Sequence, residues 1–141
     1  MKNNRALLLS SFLAALTAIV HAIGGTIEIH SALLNSSLPE SIRFLLYACW
    51  HLVTVTLVFS AIALFWSARY DRVVSNLKLP AFIGILWVAF GVFVFVALYF
   101  LGVRALMILP QWTLLLPIGG FVLFCVRNEV RNEVRKRGGS Y

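Results

Sequence analysis

Apolar residues in this chain gather into four long runs, at about 6–27, 44–68, 79–103 and 105–126. A helix rises about 1.5 Å per residue, so about 20 apolar residues cross a hydrocarbon layer of about 30 Å, and each run is long enough. The pattern predicts an all-α fold: an integral membrane four-helix bundle forming one domain over 1–141, with 127–141 as a basic helical tail. Between the first two runs, Asn35-Ser-Ser-Leu-Pro-Glu-Ser is a turn signal. Ser37 or Ser41 is placed to cap the second helix, with Pro39 near its first turn.

Charge gives these helices a direction. Of the 12 Lys and Arg residues, Lys2, Arg5, Arg69, Arg72, Lys78, Arg127, Arg131, Arg135, Lys136 and Arg137 fall on one side of the alternating spans, and only Arg43 and Arg104 on the other. Short loops rich in Lys and Arg stay cytoplasmic, so both termini and the loop after the second span are expected inside an inner (plasma) membrane. The first run also resembles a secretory signal ending at Val20-His21-Ala22, but it continues to Ile27, which favours an uncleaved span. With 61% hydrophobic and 12% charged residues, a soluble domain of this size would expose large apolar patches. The net charge of +7 flanks the spans, which points to anionic lipid and away from nucleic acid.

Polar residues within the spans cluster toward the outer side. Ionisable groups are costly inside a membrane and usually face the bundle, so each is a functional candidate. Seven residues turn a helix by about 700°, placing Glu28 within about 20° of His21. Thr17, Gly24 and Gly25 share that face, where the glycines admit a close neighbour. Tyr47, His51 and Thr54 form a second stripe, and Gln111 opens the outer part of span four. His21 and His51 are expected at one depth on consecutive helices. His30 is turned about 180° from His21 on an unbroken α-helix and is expected outside the pocket. Glu28 has Arg43 and Arg104 as its possible partners on this side.

Three chemistries fit an outer pocket of His21, Glu28, Tyr47, His51, Thr54 and Gln111. The side chains can hydrogen-bond between helices and fix packing, at about 1 kcal/mol each. They can serve as polar handles for a hydrophobic ligand, or for a proton or solute in an oligomeric transporter or channel. His21 and His51 can also ligate a metal or the iron of a b-type haem, though two histidines carry no further ligand spacing. No nucleophile and base set points to an enzyme. Partners beyond lipid are a second copy or another membrane protein.

The remaining features read as architecture. Gly84, Gly91 and Gly102 mark a small-residue stripe on span three, and Trp87 lies too deep for an interface anchor. Pro117 frees a carbonyl and is expected to kink span four. The tail repeats Val-Arg-Asn-Glu, aligning Arg127, Arg131 and Arg135, with Lys136 and Arg137 beside them, against lipid head groups; Glu133 can pair with Arg137. Cys49 and Cys125 are expected near opposite ends of the bundle, too distant for a disulfide, as small core residues.

The segments HAIGGTIEIH, Trp50-His51-Leu-Val-Thr and Pro110-Gln-Trp with Leu116-Pro-Ile-Gly resemble small four-span bacterial inner-membrane proteins of unassigned function. That resemblance implies the fold and brings no activity with it. Small multidrug exporters carry a carboxylate in the middle of span one, which this chain lacks, and the charged Asn–Glu motif of membrane glutathione-transferase relatives is also missing.

Overall fold

In the computed structural model, residues 5–70, 77–108 and 110–138 are described, without the side chains of Glu28, Tyr70, Glu133 and Arg137. The described chain is helical, with no strand. Helix α1 spans Arg5–Gly25 and runs without a break into a π-helical segment, Thr26–His30, and a short α2, Ser31–Leu34. Helix α3 covers Glu40–Tyr70, α4 Lys78–Phe100, α5 Val103–Ile108 and α6 Trp112–Gly138. Four of them, α1, α3, α4 and α6, are long and apolar enough to cross a membrane, consistent with a multi-pass membrane protein.

The helices pair as two antiparallel hairpins, α1 with α3 and α4 with α6, joined by slighter α1–α6 and α3–α4 contacts. Glycine makes the second hairpin close. A Cβ on Gly119 would sit 2.8 Å from the Val88 nitrogen and 2.9 Å from the Gly84 carbonyl oxygen, so the two backbones meet there. On α4, Gly84 faces Leu123 and Gly91 faces Leu116. Gly102 does not extend this stripe: it follows the end of α4 with φ 105°, a left-handed conformation that ends the helix, and no neighbour would meet its Cβ.

The fourth span is also corrected. The chain makes the separate helix α5 after Gly102, and α6 begins only at Trp112, whose indole N–H donates to the Leu106 carbonyl at 3.2 Å. Span four therefore starts seven residues later than the run beginning at Ala105 suggests, because the helix is interrupted between Ile108 and Trp112, at Pro110, within a run that composition reads as continuous. The α-helix continues through Pro117 and on to Gly138, so the basic repeat is helical. Arg127, Arg131, Arg135 and Lys136 are exposed, whereas the side chains of Glu133 and Arg137 lie outside the described residues, as do 139–141.

The core lies toward the basic end. Leu7, Ala14 and Ala18 of α1 meet Leu57, Ala61 and Leu64 of α3, Ile83 and Trp87 of α4, and Ile118 and Val122 of α6 in one cluster. Small residues bring α1 and α3 together, and the Ser11 hydroxyl donates across them to the Ala61 carbonyl at 3.0 Å. Cys125 is buried there against the Ser10 hydroxyl, whereas Cys49 is exposed and not a core residue. At the far end the packing opens: Phe44, Leu45, Phe93, Tyr99 and Phe100 are exposed.

The hairpins also differ in length. The continuous rod from Arg5 to Leu34 and the 31-residue α3 each extend about 45 Å, against about 34 Å for the 23-residue α4. At the tip, Pro39 precedes α3 and its carbonyl accepts from the Ile42 and Arg43 amides. The Arg43 guanidinium donates to the Leu34 carbonyl at 3.0 Å, neutralising the free end of α2.

Candidate functional site

All three histidines gather on the seam between the first rod and α3, at the far end. The His21 ring stacks on the Trp50 indole, with centroids 4.0 Å apart and planes 9° from parallel. Gly25 makes room for that indole, since a Cβ at residue 25 would overlap the Trp50 ring; at Gly24 it would meet nothing. Of the two glycines expected to share the packing face, Gly25 alone meets a neighbour closely. Tyr47 then links the other imidazoles, with His30 at 4.8 Å and His51 at 4.4 Å, the latter edge to face.

His30 is the residue that helical periodicity left out. Thr26–His30 forms a π-helical turn, which bonds i to i+5 and advances less per residue than the about 100° of an α-helix. His30 consequently lags its α-helical position and meets Tyr47. Its inclusion corrects the expectation of a residue facing away from the site. The Gly-Gly-Thr stretch ahead of the segment was the available signal, but period counting on an ideal helix does not register a wide turn.

The cluster has a definite polar structure. Both the His21 imidazole and the Thr54 hydroxyl approach the Trp50 carbonyl, the hydroxyl at 3.3 Å, and His51 stands within electrostatic range of His21. Buried without a hydrogen-bond partner are His21 Nε2, His30 Nδ1 and Trp50 Nε1. A cavity of about 10 Å³ lies beside them, bordered by Gly25, Thr26, His30, Leu46, Tyr47 and Trp50. That volume suits one water-sized group.

The other expected residues fall elsewhere. Gln111 stands in the second hairpin, where its carbonyl accepts from the Leu114 and Leu115 amides at the start of α6. Glu28 lies in the π-helical segment, and its side chain is outside the described residues. Arg43, one of its two expected partners, is engaged with Leu34. Trp50 covers one face of the His21 ring and Tyr47 abuts His51. Among the described residues, no three His, Cys, Asp or Glu side chains come together as a metal-binding group.

A second buried polar set, in the basic half, was not anticipated. Ser10, Ser11, Thr17, Ser60 and Ser67 are all buried. Ser10, Thr17 and Ser60 donate to carbonyls four residues back on their own helices, and Ser11 crosses to Ala61. Hydroxyls satisfied in this way behave as small packing residues. Comparison with protein-family models, with characterised proteins and with solved structures finds no significant match to this chain.

Proposed function

We propose that this chain is a multi-pass protein of the inner (plasma) membrane, with both termini cytoplasmic, acting as a non-enzymatic accessory or hydrophobic-ligand-binding subunit. The alternation of its basic residues supports that orientation. In this reading Arg127, Arg131, Arg135, Lys136 and Arg137 meet anionic head groups at the cytoplasmic face. Gly84 lies opposite Leu123, which brings Arg127 level with the start of α4 and thus with the membrane boundary.

One observation carries the ligand site: two residues with buried, unpartnered ring nitrogens, His30 and Trp50, border one cavity at a widened helical turn, and His21, with a third such nitrogen, stacks on Trp50. Unpartnered polar groups in a low-dielectric setting are costly, and π-helical turns are frequent at functional sites. The cavity admits only a water-sized group, so the ligand is an amphiphile whose small polar head reaches the cluster. Its apolar body lies along exposed side chains such as Ile23, Ile27 and Leu46. A transport reading needs polar stations in the basic half as well, and the buried hydroxyls there are largely bonded to carbonyls.

Native mass spectrometry of the detergent-extracted protein tests the proposal. The wild type is expected to carry a lipid-like adduct that His21→Ala/His51→Ala loses at unchanged helix content. An identical adduct population in both proteins would leave the cluster with a packing role only.

A further inference from the structure

We infer that the far-end imidazole cluster is a proton-binding site loaded from the far face alone, so that it senses acidity on that side without conducting protons across the bundle. The inference rests on the proposal that this cluster is the functional site, and it adds the ligand H⁺ and the direction of entry. Imidazole is the side chain that changes charge between about pH 5 and 8. Two of them here share one aromatic chain, in which His30 meets Tyr47 and Tyr47 meets His51, and the third, His21, stacks on Trp50 beside it.

Entry has a route. His30 and Tyr47 border the water-sized cavity with Trp50, on which His21 stacks. His30 Nδ1, at this cavity, and His21 Nε2, on the ring stacked against Trp50, both have lone-pair or N–H capacity unspent in the fold and are the nitrogens that take the proton. Among the described residues, His51 from α3 acts electrostatically on His21, Tyr47 lies between His51 and His30, and Arg43 at the tip is bonded to Leu34; the side chain of Glu28, on the same rod, lies outside the described residues. Two or more imidazolium charges on one seam repel, so loading one site alters the others.

Exit toward the basic end has none. The next titratable side chain in that direction is Cys125, which lies against Ser10, eleven residues or about 16 Å deeper along α1. Between the two depths stand Thr17, whose hydroxyl is bonded to Leu13, the apolar residues Ala14 and Ala18, and Trp87, whose buried indole N–H has no partner and holds its proton too tightly to relay one. A proton bound at His21 therefore returns by the way it came.

The His21–Trp50 stack provides the readout, because protonated imidazole quenches the emission of an indole in contact with it. The purified full-length protein is titrated in nanodiscs and its tryptophan emission followed. A reversible loss of emission is expected as the pH is lowered. The loss should be absent in Trp50→Phe and in His21→Gln, and its midpoint should move in His51→Gln, which keeps the stack. Circular dichroism of each variant checks folding, and His51→Gln retains the test if His21→Gln does not fold. In liposomes sorted for orientation by impermeant labelling of a cysteine introduced as Ser37→Cys, in the turn before α3, acid added on that side should quench and acid on the other side should not. A transition independent of His21, an unmoved midpoint in His51→Gln, or quenching by acid from the basic side would each overturn the inference. None of these readouts requires the amphiphile, so failure of the ligand proposal and failure of this one are separable.

Discussion

At the residue scale, two adjacent glycines have opposite weights. Trp50 fills the space that a side chain at residue 25 would need, whereas residue 24 faces no neighbour. Gly25→Ala should cost about 1–3 kcal/mol through forced repacking of the indole. Gly24→Ala should be neutral or gain up to about 1 kcal/mol from higher helix propensity. Reversible unfolding in mixed micelles measures both, and equal effects would contradict the observed placement of Trp50. Ser11 offers a smaller test: removing its bond to Ala61 by Ser11→Ala should cost about 0.6–1 kcal/mol in the same assay. The sequence made His21, Tyr47 and His51 legible, because polar residues in apolar runs stand out against their surroundings. Trp50 as the stacking partner was less legible, since its role depends on the absence of a Cβ on another helix.

At the element scale, helical period places residues well only while the helix keeps its pitch. The long runs foretold α1, α3 and α4 because composition integrates over many residues and tolerates local irregularity. The fourth span was misjudged at its start, where composition joins α5 to α6 across the interruption between Ile108 and Trp112. His30 was misjudged for a related reason, since one wide turn rotates everything beyond it. A π-helical turn accommodates one residue more than an α-turn. Deleting Ile27, which is exposed within that turn, should let both flanks keep their contacts with α3 and leave stability equal or higher. Deleting Leu16 from the regular part of α1 should misalign the rod beyond it and destabilise the fold. Thermal unfolding of the two deletions separates these outcomes, and equal losses would show that the wide turn is not an inserted residue.

At the scale of the whole molecule, burial and charge divide the bundle along its length in the same sense. The close-packed half, around Leu7, Leu64, Ile83 and Val122, lies toward Arg5, Arg69, Lys78 and Arg127, and the imidazole cluster occupies the looser half. Such a division suits a protein that is anchored at one face and responsive at the other, because regions with few buried contacts open at lower free-energy cost. In the proposed orientation the basic end is cytoplasmic. A fluorescent reporter fused after Tyr141 should then be active in the cytoplasm, and a phosphatase inserted between Ser36 and Ser37, in the turn before α3, should be active on the opposite side. Neutralising Arg69, Arg72 and Lys78 together while adding three lysines to the 35–38 turn should reduce or invert both signals, since Lys and Arg in short loops control orientation. Should the reporter at residue 141 be active outside in the unaltered chain, the cluster would face the cytoplasm, and the acidity it responds to would be that of the cell interior.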